Sequence, residues 1–200
     1  MEALAKAGIM PKGVLHVGAH ECEELPFYQR LGIAKDNMVW IDAIQSKVQQ
    51  AQARSILNVF QAVITDKDDD TVTFKVTNNV QSSSILDFGT HAASYPWVHF
   101  VSQSEEKTVT LDTFFERQRL DPSRYDFWNF DIQGAEMLAL KGATGALKYA
   151  KALYLEVNTQ EVYKGCAKLE ELDAFLLNLG FQRVLTDITP HGWGDALYVR

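Results

Sequence analysis

Short apolar runs recur along the chain, and each of them ends at a polar residue or a glycine. Runs of this length that are apolar on both faces are typical of parallel strands that helices cover on both sides of a sheet. The sequence predicts such strands at residues 13–17, 38–41, 59–64, 127–130 and 152–157. Parallel neighbours need crossover connections of a dozen or more residues, so few architectures remain open.

The intervals between these runs carry apolar residues at helical spacing. Four helices are predicted, at residues 23–32, 46–57, 136–149 and 168–179. Gly32 and Gly180 suit the C-terminal ends of the first and the last of them. Strands that alternate with helices in this way predict an α/β domain with a doubly wound, mostly parallel sheet.

Two regions depart from this alternation. Residues 71–76 alternate like a strand and residues 108–111 suggest another short one, with an irregular Ser-rich and aromatic segment at 82–100 between them. Long irregular insertions in compact domains are usually functional. At the C-terminus, residues 181–185 and 196–199 flank a turn and predict an antiparallel hairpin that completes the sheet.

Composition narrows the possible partners. The formal net charge is -7, and a surface of that sign repels phosphate backbones, so nucleic acid is not expected as a partner. No apolar stretch is long enough to span a bilayer, and two cysteines are too few for a disulfide framework. We therefore expect one cytoplasmic domain over residues 1–200 that binds no membrane, and both a monomer and a homodimer remain open.

Gly18 and Ala19 follow the first predicted strand directly. A glycine at such a point lets a ligand approach the backbone closely. No second glycine occurs before Gly32, so the dinucleotide pattern G-x-G-x-x-G is missing and a nicotinamide oxidoreductase is disfavoured. Asp42 ends the second strand 24 positions after Gly18, close to the spacing at which Rossmann-like domains place an acid on the ribose hydroxyls.

Several runs together make the chain resemble the FkbM-type methyltransferases, which are Rossmann-like enzymes that use S-adenosylmethionine. The resemblance is carried by residues 14–20, 40–43, 62–66, 82–86, 110–114 and 130–136, the last of which reads F-D-I-Q-G-A-E. It implies methylation of a hydroxyl group, often on a sugar or a natural product, with S-adenosylhomocysteine as the second product. The residues expected to bind the cofactor are His16, Gly18, Ala19, His20, Asp42, Ala43, Ile64, Ser83, Ser84 and Asp131.

The chain departs from the family pattern at four positions. The family commonly has Asp where His16 stands, Asn where His20 stands and Gly where Cys22 stands, and Gln133 replaces an acid. These departures keep open a domain that binds S-adenosylmethionine without turnover. The retained Asp131 favours an enzyme.

Methyl transfer to a hydroxyl needs a group that removes the hydroxyl proton. Asp131 is the preferred general base, because it follows an aromatic strand whose burial would raise its pKa. Glu156 and His191 are further catalytic candidates. Two mechanisms remain open: Asp131 acts without a metal, which we favour, or Asp131, Glu156 and Asn158 hold a magnesium ion.

Recognition of the acceptor is expected from the two irregular regions. Tyr95, Trp97 and Trp193 are rings of the kind that stack on sugars. The turn at 187–195 offers several hydrogen-bonding groups, among them His191. The predicted acceptor-binding residues are Tyr95, Trp97, Asn158, Asp187, His191 and Trp193. We therefore predict an O-methyltransferase that acts on a sugar or glycan, with a small natural product as the alternative acceptor.

Overall fold

A computed structural model describes residues 2–200 of the chain and contains ten strands and seven α-helices in that range. The strands are β1 (Val14–Val17), β2 (Met38–Asp42), β3 (Val59–Gln61), β4 (Val63–Ile64), β5 (Thr71–Thr77), β6 (Phe100–Val109), β7 (Phe127–Phe130), β8 (Ala152–Asn158), β9 (Gln182–Ile188) and β10 (Trp193–Val199). The helices are α1 (Glu2–Lys6), α2 (Leu25–Arg30), α3 (Gln45–Ala53), α4 (His91–Ser94), α5 (Leu111–Arg117), α6 (Glu136–Lys141) and α7 (Leu169–Leu177).

Seven strands form the main sheet in the order β3-β2-β1-β7-β8-β10-β9. The pairs from β3 to β8 are parallel, and β10 runs antiparallel to both of its neighbours. The predicted doubly wound α/β architecture with a C-terminal antiparallel hairpin is therefore confirmed. The strand order reverses between β1 and β7, and in such sheets ligands bind at the carboxyl ends of the two strands that flank the reversal.

Burial on both faces explains why the parallel strands were readable from the sequence. β1, β2 and β7 are buried at every position, and helices with large apolar side chains cover the sheet on either side. Trp40 and Trp128 have no exposed surface. Burying an aromatic side chain of this size stabilises the fold by roughly 2–3 kcal/mol.

The strand predicted at 59–64 is two strands that belong to different sheets. β3 pairs with β2, whereas β4 pairs with β6 in a second sheet of order β4-β6-β5. Between them, the backbone N–H of Ala62 donates to the carbonyl of Asp42 at 3.1 Å. The chain then leaves the main sheet, which an apolar run alone does not reveal.

The short strand predicted at 108–111 is wrong in its bounds. β6 is a ten-residue strand that ends at Val109, and α5 begins at Leu111. The hydroxyl of Thr110 accepts from the backbone N–H of Thr113 at 3.2 Å and so caps the helix. The N-terminal part of β6 is exposed and polar, which hid it from a search for apolar runs.

The helix predicted at 136–149 ends early. α6 stops at Lys141, and a short 3-10 helix at Leu147–Tyr149 follows a turn. The carboxylate of Asp112 accepts from the backbone N–H groups of Gly145 and Ala146 at 2.7 and 2.8 Å. A contact from α5 thus holds this turn in place, and the other predicted helices match α2, α3 and α7 with shorter ends.

The irregular segment predicted at 82–100 contains one short helix, α4, and packs on the end of the main sheet. An isolated β-bridge joins Phe88 to Tyr163. A small apolar cluster of Val162, Tyr163 and Cys166 fixes the segment against Trp193. None of the helices in residues 2–200 combines the length and the apolar character that crossing a membrane requires.

Candidate active site

The carboxyl edge of the main sheet opens into a cavity of about 960 Å³. Its floor is the point where β1 and β7 part. Gly18 has a φ of +88°, and a Cβ on it would lie 1.8 Å from the carbonyl oxygen of Asp131. Cavities of 300–1,000 Å³ hold small ligands and cofactors, so this one is large enough for two molecules side by side.

Asp42 lies at one side of the floor, and each of its two carboxylate oxygens accepts a backbone hydrogen bond. Its Oδ2 accepts from the backbone N–H of His20 and its Oδ1 from that of Ile44, both at 2.7 Å. Burial raises the pKa of this carboxyl, and the two backbone bonds oppose the rise. Each oxygen keeps a lone pair for a further donor, such as a ribose hydroxyl.

The turn after β1 contains two of the positions at which the chain departs from the family pattern. His20 has a φ of +42° and Cys22 one of +57°, the left-handed region that Asn and Gly enter most easily. The residues usual in the family at these positions suit that backbone. Here His20 is anchored, because its Nδ1 lies 2.6 Å from Oε1 of Glu23, and Cys22 is buried in the core.

His16 lies beneath the cavity floor and stays neutral. Burial lowers its pKa to about 3. The amide of Asn129 donates to the hydroxyl of Tyr28 at 2.7 Å, and that hydroxyl is hydrogen-bonded to Nδ1 of His16 at 3.1 Å. Where the family has an acid, this chain therefore places an uncharged ring that is hydrogen-bonded to Tyr28.

Asp131 stands at the centre of the cavity and is linked to Glu156. Gln133 donates from Nε2 to Oδ1 of Asp131 at 2.5 Å and to Oε2 of Glu156 at 2.9 Å. The hydroxyl of Tyr163 donates to Oε1 of the same amide at 2.5 Å. The amide that replaces an acid thus bridges two carboxyl groups, where a third acid would repel both.

Burial sets the protonation of this pair. It raises the pKa of Glu156 well above the ordinary value, and the charges of Asp131 and Glu136 add to the rise. Burial also raises the pKa of Asp131, while hydrogen bonds from Gln133 and Glu156 oppose the rise. Glu156 therefore holds a proton that it donates towards the Asp131 carboxylate.

Glu136 has a structural task in the same loop. Its Oε1 accepts from the backbone N–H groups of Ile132 and Gly134 at 2.9 and 3.2 Å, which closes the turn that presents Asp131. Burial raises its pKa to about 7. The two acids of residues 130–136 thus have different roles, since Asp131 lines the cavity and Glu136 holds the loop.

Aromatic side chains form the outer wall of the cavity. Trp193 donates from Nε1 to the hydroxyl of Tyr95 at 2.9 Å, and Tyr95 contacts Trp97 edge to face at 5.6 Å between ring centroids. Trp97 keeps 65% of its surface exposed. His91 lines the same wall, stacked on Phe88.

Most of the residues predicted from the sequence line this cavity. They are His16, Gly18, Ala19, His20, Asp42, Ala43, Ile64, Ser83, Tyr95, Trp97, Asp131, Glu156 and Trp193. Ser84, Asn158, Asp187 and His191 do not line it.

Each of these four has a physical reason to lie elsewhere. The hydroxyl of Ser84 donates to the carbonyl of Gln133 at 2.9 Å and accepts from a backbone N–H, so it supports the loop. Asn158 is buried at the end of β8. Asp187 is exposed on the edge strand β9, and His191 is exposed at the hairpin turn, with its ring 5.0 Å from that of Tyr95.

Several cavity residues were not predicted individually, among them Gln133, Asp195 and His91. Gln133 was noted only as a departure, although its spacing of two from Asp131 could have suggested a contact. Asp195 lies directly opposite Glu156 in the β8–β10 register, which a strand pattern does not reveal. His91 sits in the irregular segment, where no sequence signal singles it out. Within residues 2–200, no three His, Cys, Asp or Glu side chains gather so as to hold a metal ion, and Asn158 lies apart from the set considered for magnesium.

Comparison with known proteins adds independent observations. The family model described as the methyltransferase FkbM domain matches residues 15–183. Among curated proteins, no sequence shows significant similarity to the chain.

Similar solved structures share the fold at low sequence identity. One is Sp1610 from Streptococcus pneumoniae, a candidate tRNA (m1A22) methyltransferase, with a TM-score of 0.51, 13% identity, and coverage of 100% of this chain and 68% of that one. Another is TrmK from M. capricolum in complex with S-adenosylhomocysteine, with a TM-score of 0.50, 7% identity, and coverage of 100% and 67%. A third is the magnesium protoporphyrin IX methyltransferase ChlM from Synechocystis with bound S-adenosylmethionine, with a TM-score of 0.47, 15% identity, and coverage of 98% and 74%.

Proposed function

The chain belongs to the FkbM methyltransferase domain family, and from that premise we propose that it transfers a methyl group from S-adenosylmethionine to a hydroxyl of a sugar or glycan. Asp131 is the general base in this proposal. The observation that carries it is the position of Asp131 at the strand reversal, in a cavity that has the ribose-type acid Asp42 on one side and aromatic rings on the other.

The residues present fit the cofactor. Asp42 offers free lone pairs at the end of β2, where an acid of this fold binds ribose hydroxyls. Gly18 and Ala19 bring bare backbone to the cavity floor, and Ala43 and Ile64 supply apolar surface beside it. When bound, the cofactor supplies a methyl group on a positively charged sulfur and leaves as neutral S-adenosylhomocysteine, as the carbon–sulfur bond breaks.

Asp131 accepts the proton that the acceptor hydroxyl loses as its oxygen bonds to the methyl carbon. Its raised pKa makes it a better base near neutral pH than an ordinary aspartate. Gln133 and Glu156 hold the carboxylate in one orientation. Glu156 is thus a positioning residue that keeps its own proton in the resting enzyme.

The aromatic wall is suited to a ring-shaped acceptor. Trp97 and Trp193 line the cavity with large aromatic rings, and sugars commonly stack on such rings. Asn79, Gln81 and Ser83 add hydrogen-bonding groups from the irregular segment. This combination favours a polyhydroxylated ring over a flat, wholly apolar natural product.

The test combines one substitution with a labelled-cofactor screen of sugars and natural products. Asp131→Asn should lower kcat about 10²- to 10⁴-fold for every acceptor that the wild type methylates, because the proton acceptor is lost. Affinity for S-adenosylmethionine, measured by calorimetry, should fall by less than about tenfold, because Asn keeps the size and one oxygen of Asp131, so the loss of kcat exceeds the loss of cofactor binding. The control is Asp36→Asn, which removes an exposed acid from the opposite edge of the sheet.

Three outcomes would contradict the proposal, and a fourth would change its mechanism. Normal turnover by Asp131→Asn would show that Asp131 is not the general base. A product methylated on nitrogen would show that the acceptor group is not a hydroxyl. Cofactor binding without turnover across the screen would favour a non-catalytic domain. Loss of turnover in EDTA and recovery with magnesium would favour the metal-assisted alternative over the metal-free mechanism.

A further inference from the structure

The carboxyl edge of the main sheet carries a row of acids across three neighbouring strands. Asp131 follows β7, Glu156 lies on β8 and Asp195 lies on β10. Glu156 and Asp195 are register partners, so their side chains share a face. With neighbouring strands about 4.8 Å apart, Asp195 lies about 10 Å from Asp131, on the side away from β1 and the cofactor residues.

The cavity contains no cationic side chain to balance these acids. Its lining includes no Lys or Arg from residues 2–200. It does include the acids Glu23, Glu24, Asp42, Asp131, Glu156 and Asp195. Burial raises the pKa of Asp195, and the charges of Asp131 and Asp187 raise it further, whereas a hydrogen bond from Tyr154 opposes the rise. With Glu156 protonated, the carboxyl groups left in the acceptor half are those of Asp131 and Asp195, and no lysine or arginine of the described lining balances them.

A second feature of the same cavity indicates a missing ligand group. His91 is 95% buried in the cavity wall, and its Nδ1 has no hydrogen-bond partner among the described residues. Buried polar atoms are nearly always paired, and an unpaired one costs about 1–3 kcal/mol until a partner arrives. Burial lowers the pKa of this ring, which leaves a neutral nitrogen that can accept a hydrogen bond.

The rings beside these groups suit a cation as well as a sugar. Tyr95 and Trp193 are hydrogen-bonded to each other in the cavity wall, and Trp97 packs edge to face against Tyr95. Aromatic faces attract ammonium groups by about 0.5–2 kcal/mol, more where water is excluded. Carboxylates, rings and the absence of lysine and arginine together describe a subsite for a positively charged group.

We propose that the acceptor carries a protonated amine in addition to the hydroxyl that is methylated, and that Asp195 and the aromatic wall bind this ammonium group. The inference rests on the proposed function and narrows its substrate class to amino sugars and glycans that contain them. Phosphorylated, nucleotide-linked and carboxylated sugars are excluded, because nothing in the cavity balances the negative charge that such a sugar would add to the acids already there.

The test measures the binding of three tetrasaccharides to the protein saturated with S-adenosylhomocysteine. They are the β-1,4-linked glucosamine tetramer, its fully N-acetylated counterpart and a tetramer of galacturonic acid, at a pH where the amine is protonated. The glucosamine tetramer should bind at least about tenfold more tightly than the acetylated one, because a charged hydrogen bond to a carboxylate is lost on acetylation. The uronic acid tetramer should not bind measurably.

Asp195→Asn should reduce the tenfold preference for the amine to less than about threefold, since the shape is kept and only the charge is removed. Asp36→Asn, which changes the total charge equally at the opposite edge, should leave the preference intact. Melting temperature and S-adenosylhomocysteine affinity show whether each variant folds. If Asp195→Asn does not fold, the binding of the three tetrasaccharides to the wild-type protein still tests the proposal.

Equal or tighter binding of the acetylated or the acidic tetramer would overturn the inference, as would a failure of the glucosamine tetramer to bind. The proposed function would survive these results as long as S-adenosylhomocysteine binds and some hydroxyl acceptor is methylated. A protein that does not bind S-adenosylhomocysteine would instead contradict the proposed function itself.

Discussion

The two halves of the cavity are built in different ways. The half proposed to bind the cofactor is built mainly from residues 16–44, and its acid, Asp42, is paired with backbone groups no more than 22 positions away. The acceptor half joins distant segments, as the bond between Tyr95 and Trp193 across 98 positions illustrates. Polar groups in the first half are satisfied by the protein, whereas the second half keeps repelling acids and an unpaired histidine nitrogen.

This difference indicates that one half is preorganised and the other is completed by its ligand. A preorganised site loses function when its backbone is disturbed. A site that holds uncompensated charge becomes more stable when a charge is removed or a cation binds. Substitutions in the two halves should therefore have opposite signatures.

The largest effect is expected at the floor of the cofactor half. In Gly18→Ala the new Cβ would lie 1.8 Å from the backbone of Asp131, so β1 and β7 must separate, with a loss of more than about 3 kcal/mol of stability and at least 100-fold in cofactor affinity. Gly32→Ala is the matched control, because Gly32 also has a positive φ but open space around it. It should cost only about 1 kcal/mol. Similar melting temperatures for the two variants would contradict the close-approach argument.

The next effect concerns the ribose-type acid. Asp42→Asn should weaken S-adenosylmethionine binding about 10- to 100-fold, since a charged acceptor is lost and one of its two backbone donors loses its partner. Calorimetric affinity measures the change, and kcat at saturating cofactor should stay near the wild-type value. An unchanged Kd would show that Asp42 only caps its turn.

A smaller effect separates the two hairpin residues predicted to bind the acceptor. Trp193 lines the cavity and His191 does not, so Trp193→Ala should raise the KM for the acceptor about 5- to 20-fold and His191→Ala less than about twofold. Cofactor affinity should be unaffected in both. Equal effects of the two substitutions would mean that the hairpin turn itself folds over the acceptor.

The smallest effect is a gain of stability in the acceptor half. The pKa of Glu156 is raised in the folded state, so the folded protein binds more protons than the unfolded chain above pH 4.5, and stability falls as pH rises through the raised value. Glu156→Gln removes this contribution. The melting temperature of this variant should depend less on pH between pH 5 and 8, and its stability at pH 8 should be higher by about 1 kcal/mol. The raised pKa of Glu136 should leave part of the pH dependence in place.

Exposed Glu116→Gln serves as the control and should leave the pH profile of the melting temperature unchanged. A Glu156→Gln variant that melts lower than the wild type at pH 8 would show that the carboxyl stabilises the folded state. The Glu156 carboxyl would then resemble the polar groups of the cofactor half, whose hydrogen bonds are satisfied by the protein.

The main sheet was largely predictable because apolar runs report burial on both faces. β7 was predicted at its observed bounds, and β1, β2 and β8 to within one residue. β6 was missed over most of its length, since its exposed polar residues pair only with β5 and leave no apolar signal. The break at Ala62 was missed because it depends on a hydrogen bond to β2.

The candidate site shows the same division. Gly18 and Asp42 were identified because the contacts that define their places come from one strand–turn unit and its neighbour. His191 and Trp193 are only two positions apart, yet only Trp193, the first residue of β10, lines the cavity, because His191 lies in the exposed turn before that strand. Sequence proximity could not distinguish them.

The sequence by itself therefore determined a parallel α/β sheet through its hydrophobic period, and the family through the motif runs that resemble it. The cofactor edge stays a prediction from the spacing of Gly18 and Asp42. Only the tertiary structure decided which polar groups share the cavity. The register between β8 and β10 places Asp195 opposite Glu156, and the bridge through Gln133 links Glu156 to Asp131. Such neighbours are set by strand pairing between distant segments, and no local pattern in the chain encodes that pairing.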